Sequence, residues 1–172
     1  MRRPESSEHA EYYGRYINLV PESDVVASLA TQGEETQKLV ASLDDERAIF
    51  RYAPGKWSIK EVLGHVADSE KIFGYRLLAL ARGETQPLPG FDQEVYAAGV
   101  RFDEWPLRDI ADYVASARRA NLSVIRNLEE AAWDRAGIVS GNAMSVRALA
   151  FILVGHERHH TNVLRERYAV SS

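Results

Sequence analysis

The chain has no cysteine, and that one absence excludes disulfides, thiolate metal ligands and a cysteine nucleophile. A chain without disulfides suits a reducing cytoplasm, the compartment expected here. Long apolar runs are missing too. The longest, ALAFILVG at residues 148–155, is far short of the ~20 residues that span a bilayer and reads as a helix buried nearly all round. The amino terminus, MRRPESSEHAEYYGRY, has a positive start with no apolar stretch behind it, so neither a secretory signal nor a membrane partner is expected. Basic residues are not clustered. Twenty-one Lys and Arg are scattered among 25 Asp and Glu, for a formal charge of −4, so nothing resembles the basic face that neutralises phosphates in nucleic-acid binding. No Ser-His-Asp order and no phosphate-cradling glycine loop stand out, which leaves serine hydrolases and nucleotide enzymes unsupported. No strand-like alternation is long enough to predict a sheet.

What is present is helical period. The 172 residues suit one domain, 1–172, with 1–20 as an N-terminal extension. A first helix is predicted from about Ser23 to Leu43, its stripe carried by Val26, Leu29, Leu39, Val40 and Leu43, with Gly33 a mild weakness. Pro54-Gly55 marks a turn. Ser58 then caps a second helix, with Glu61 completing a capping box ahead of Val62, Val66, Phe73, Leu77 and Leu80, and Gly83 as its stop. A long connection follows, ETQPLPGFDQEVYAAGVRFDEW, with a short helix expected at residues 91–98. Loops of that length in small domains are usually functional, as lids or site walls. Pro106 opens a third helix, and Ser145 a fourth that runs to about Tyr168. The fold class predicted is all-α, a four-helix bundle.

Three of the five histidines fall within GHERHHTNVL, residues 155–164. Residues three or four apart on a helix are neighbours, so His156 can share an ion with His159 or with His160. Helical phase favours His160, which lies near the centre of the stripe defined by Val146, Leu149, Ile152, Leu153, Val163 and Leu164, while His159 lies close to a right angle from it. A third ligand must come from another helix, and His65 in GHVADSE, on the shoulder of its stripe, is the candidate. Three neutral imidazoles leave coordination positions open, as catalytic rather than structural sites do. Such a donor set suits zinc, nickel, iron or copper.

Other residues receive smaller roles. Asp68, one turn beyond His65, can orient an imidazole from outside the metal's own ligand set, act as a ligand or base itself, or be a solvated carboxylate. Glu157 is expected to face solvent. Asp92 reads as the cap of the short helix, with Phe91 and Tyr96 as pocket walls. His9 belongs to the extension and needs no role. Trp57, Trp105 and Trp133 read as packing anchors.

GHVADSE, FDQEVY and HERHHTNVL together resemble the DinB-like (YfiT-like) metal-dependent proteins, and the likeness runs from the first helix to Tyr168. It implies an up-up-down-down bundle in which His65, His156 and His160 hold a divalent transition metal (Zn, Ni or Fe). It also implies a homodimer and a small-molecule substrate. Activities assigned in that family include thiol S-transfer and isomerisation with a low-molecular-weight thiol such as bacillithiol, mycothiol or glutathione. The resemblance therefore implies first a metal-dependent thiol S-transferase, with a metal-dependent hydrolase or a non-catalytic binding protein as alternatives. The thiol-recognition residues do not map onto this sequence.

Overall fold

Each long helix begins where a side-chain oxygen meets an otherwise unsatisfied backbone N–H. In the computed structural model, which describes residues 1–170, Asp24 accepts from Ala27 N at 3.0 Å to start α2 (Val25–Ala41). Ser58 and Glu61 form the expected capping box of α4 (Ile59–Ala81), which stops before Gly83 at φ 87°. Asp92 caps the short α5 (Gln93–Ala98), and Ser145 caps α7 (Val146–Tyr168). Pro106 sits just ahead of α6 (Leu107–Ile125). Two further short helices are α1 (Glu11–Ile17) and α3 (Asp45–Ala48).

α2, α4, α6 and α7 are the bundle. α4 packs on α6 and α7, and α2 on the same two. Side-chain pairs fix the directions. Gln32 reaches Val154 and Thr36 reaches Glu157, so α2 and α7 run parallel. Arg118 meets Leu29 while Gln37 meets Ala111, so α2 and α6 are antiparallel. Asp68 meets Tyr113 and Glu70 meets Asn121, so α4 and α6 are parallel. The four-helix bundle of the expected class is therefore present, but its directions run up, down, down, up rather than up-up-down-down. The physical trace of this order is the connection between α4 and α6. A parallel neighbour must be reached by a chain that returns the full ~35 Å length of a 23-residue helix, and residues 82–106 make that return.

Two elements depart from the sequence reading. Ala136–Val139 (β1) and Asn142–Ser145 (β2) form an antiparallel hairpin where no strand was predicted. Leu88 of the long connection pairs alongside it, through Leu88 N to Ile138 O and Ser140 N to Leu88 O. Strands of four residues are too short for alternation to register. The N-terminal extension, read as a tail, instead packs along α7, with Tyr16 and Ile17 buried. The contact is close: a Cβ on Gly155 of α7 would lie 2.1 Å from the Tyr16 carbonyl oxygen. Only glycine lets the two backbones approach this far.

α7 runs through both halves of the core and is buried at every residue from Val146 to Glu157. Its apolar run is enclosed on all sides, as ALAFILVG predicts. No helix among the described residues is long and apolar enough to cross a membrane.

Candidate metal centre

The capping box fixes the start of α4, and nearly two turns later His65 faces α7. His156 and His160 are one turn apart on α7 and face back. The Nε2 atoms of His65 and His156 lie 3.1 Å apart. Ring centroids are 4.8 Å apart for His65 and His160, and 4.5 Å for His156 and His160. One nitrogen from each ring falls within 4.8 Å of the others. Ligands held at ~2.0–2.1 Å around a tetrahedral ion stand ~3.3 Å from one another, so rotations of the rings close the set around one cation. The donor chemistry fits a divalent transition ion.

Electrostatics favour the same use. His65 and His156 are buried and His160 half-buried. Burial, reinforced by the charge of His159, pushes His65 down to about 4. Burial first, then the neighbouring imidazoles, hold His156 and His160 well below the ordinary histidine range. All three are neutral at pH 7, with lone pairs free of protons. Aromatic rings enclose them: Trp57 lies 4.9 Å from His65, Phe73 5.5 Å and Tyr16 5.1 Å from His156. His159 stands beside His160 with ring centroids 5.0 Å apart but outside the converging set, packed against Tyr16.

Asp68 is not turned to this cluster. Its Oδ1 accepts from the Tyr113 hydroxyl at 2.7 Å, across the α4–α6 interface, and no hydrogen bond joins it to His65 among the described residues. Burial raises its carboxyl, against the lowering effect of Tyr113. Glu157 reverses its expectation of a solvent-facing position. It is buried, accepts from Thr36 at 2.6 Å and pairs with Arg118. The stripe argument failed there because α7 has no solvent face at that depth: α2 and α6 cover the side opposite the histidines.

Cavities open on both sides of the cluster. One of about 360 Å³ is lined by His65, His156, Tyr13, Tyr16, Phe73 and Phe91. Another, of about 430 Å³, is lined by His159, His160, Trp57, Lys56 and Glu94. Gln93, the first residue of α5, borders both. The long connection thus walls the site, as its length suggested. Phe91 lines the first cavity, whereas Tyr96 packs on Phe91 with ring centroids 5.4 Å apart. Trp57, read only as an anchor, is part of the wall. The Tyr13–Tyr16 contribution was missed because the extension was read as a tail, although three tyrosines within five residues signal an aromatic face.

The DinB superfamily model matches residues 28–164, most of the chain and all three histidines. The chain belongs to the DinB superfamily. A protein of Oceanobacillus iheyensis, named provisionally as a metal-dependent hydrolase, is 29% identical over 123 residues, 70% of each chain. Among solved structures, this DinB-superfamily chain is similar to YfiT from Bacillus subtilis, with a TM-score of 0.72 over 99% of this chain and 95% of the other at 16% identity. YfiT is described, again provisionally, as a metal-dependent hydrolase with an unusual four-helix bundle topology. A mycothiol-dependent maleylpyruvate isomerase matches with a TM-score of 0.64, 84% of this chain, 61% of its own and 13% identity. At such identities the two structures speak for the fold.

Proposed function

We propose that this DinB-superfamily protein is a divalent-metal-dependent hydrolase of a small molecule, with His65, His156 and His160 as the ligands. The observation that carries the reading is the convergence of three neutral, mostly buried imidazoles at the edge of a cavity large enough for a small substrate. The provisional naming of the Oceanobacillus protein and of YfiT supports hydrolysis ahead of thiol transfer. Zinc, nickel or iron suits the donors. The family resemblance adds a homodimer to the same reading, and the lack of cysteine adds a cytoplasmic location.

When bound, such an ion polarises a substrate carbonyl and lowers the pKa of a bound water or thiol. The chain's own residues prepare for this. The imidazoles present unprotonated nitrogens at neutral pH, so no proton has to be displaced before they bind a cation. Trp57, Phe73 and Tyr16 shield them from bulk water, which strengthens every electrostatic interaction inside. Gln93 places an amide at the junction of the two cavities, where it can donate to a substrate oxygen and accept from a substrate N–H.

A second reading, thiol S-transfer with a low-molecular-weight thiol as co-substrate, draws on the fold shared with the mycothiol-dependent isomerase. Ester and amide panels, assayed with and without added metal and with and without bacillithiol, mycothiol or glutathione, separate the two. Turnover that requires metal but no thiol is the expected result. Turnover only with a thiol favours the second reading. Full metal occupancy with tight ligand binding and no turnover would make the protein a binding module.

A further inference from the structure

Five aromatic side chains from three distant parts of the chain line the cavity of about 360 Å³ beside His65 and His156. Tyr12, Tyr13 and Tyr16 come from α1, Phe73 from α4 and Phe91 from the long connection. Their rings meet edge to face in a chain. Ring centroids are 5.3 Å apart for Tyr12 and Tyr13, 6.0 Å for Tyr13 and Phe73, and 6.4 Å for Phe73 and Phe91, at interplanar angles of 84°, 84° and 75°. Phe73 carries the series on to His156, 5.5 Å away and again edge to face. Rings set at right angles present both electron-rich faces and electron-poor edges. An aromatic ring has a complementary edge or face for each of them, and a saturated ring has neither.

The charges around the cavity select against ions of either sign. No Lys or Arg lines it, and with its histidines neutral the one ionised lining side chain is Asp92. Asp92 Oδ1 accepts from Glu94 N at 2.9 Å and Val95 N at 3.4 Å, which holds the carboxylate at the start of α5 without a cationic partner among the described residues. An anion entering here meets like charge. A cation would need the ring faces, and most are engaged. The Arg15 guanidinium lies 3.9 Å from the Tyr12 ring and 4.7 Å from the Tyr16 ring, and that of Arg76 lies 5.8 and 5.6 Å from Phe73 and Phe91. Neither arginine lines the cavity. A ring whose quadrupole already holds one cation draws a second poorly. The remaining polar groups on the lining, Gln93 and Ser140, are neutral donors and acceptors.

We infer that this cavity is a slot for an uncharged aromatic ring, and that the substrate is a neutral aromatic ester or amide whose ring lies among Tyr13, Phe73 and Phe91 while its carbonyl group faces the histidines. The reading of the cavity as a substrate site is its premise, and it narrows the substrate class. The volume lies at the small end of the range for small-molecule pockets, roughly 300–1,000 Å³, which suits one ring and its substituent.

Benzamide and cyclohexanecarboxamide, titrated by calorimetry into metal-loaded protein and again after chelation, test the proposal. Benzamide should bind about fivefold more tightly in both states, the equivalent of one edge-to-face ring contact. Its ring protons should show nuclear Overhauser contacts to the Phe73 and Phe91 rings. Benzoate and benzylamine, tested after chelation so that no ion can hold them, should each bind about fivefold more weakly than benzamide. Phe91→Leu should erase the preference for benzamide over its saturated counterpart, and Phe91→Tyr should keep it. Equal binding of the two amides, tighter binding of either charged probe, or an unaltered preference in Phe91→Leu would overturn the proposal. The wild-type comparison needs no variant to fold. Turnover separates this proposal from its premise: metal-dependent hydrolysis that is blind to the ring would sink the aromatic slot alone, whereas ring-selective binding without turnover would support the slot and count against hydrolysis.

Discussion

At the scale of single residues, about 100° of helical phase separates His159 from His160, and that difference has consequences. His159→Ala should retain bound metal at wild-type stoichiometry, because its ring lies outside the converging set and against Tyr16. Elemental analysis of the purified variant checks this, and loss of the ion would overturn the register of α7. The depressed imidazoles also set a pH dependence. A histidine whose folded pKa is about 4, against 6.5 unfolded, refuses protons that the unfolded chain accepts between those values. The metal-free protein should therefore lose stability as pH falls from about 6.5 towards 4, by up to roughly 3 kcal/mol from His65 alone. Urea midpoints across that range measure it, and a flat profile would contradict the burial argument. That His65, His156 and His160 converge was legible from spacing and phase, and their role as metal ligands is what the family resemblance implies. The neighbouring Glu157 was not, because a hydrophobic stripe reports where apolar residues lie and cannot register a buried ion pair.

At the scale of elements, the helix starts capped by Asp92, Ser58 and Ser145 were read correctly, whereas the short α3, capped by Asp44, was not predicted. α1 carries no such mark. Ala10 precedes it without a side-chain cap, Gly14 interrupts it, and its stability derives from packing on α7. That dependence is testable at Gly155. Gly155→Ala places a methyl group on the Tyr16 carbonyl, so α1 should lift from α7 while the bundle stays folded. Limited proteolysis should then cut within residues 1–20 at least tenfold faster than in wild type, with far-ultraviolet circular dichroism little changed. An equally protected N-terminal segment would mean that the backbone contact does not hold α1.

At the scale of the whole molecule, one buried knot ties the bundle together. Arg118 of α6 donates to both Glu70 oxygens on α4 at 2.7 and 2.9 Å, to Leu29 O on α2 at 2.9 Å, and to Glu157 on α7. Burial opposes the charge of Arg118, and the two carboxylates outweigh it and hold the guanidinium charged. Arg118→Met leaves those carboxylates unpaired in the core and should cost about 3–5 kcal/mol, read from chemical denaturation. A loss below about 1 kcal/mol would show that the knot is not needed for stability. The bundle class followed from four periodic segments, but the order of directions did not, because period says nothing about which helices are neighbours. Contacts between α2 and α7, far apart in sequence, decide it.

The claim on which the rest depends is that imidazoles from α4 and α7 share one cation. Elemental analysis of untagged protein, beside His65→Ala, His156→Ala and His160→Ala, tests it most directly. One divalent transition ion per chain in the wild type, falling well below one in each variant, is the predicted result. Full occupancy in the three variants, or no ion in the wild type after growth with zinc, nickel and iron supplied, would contradict it.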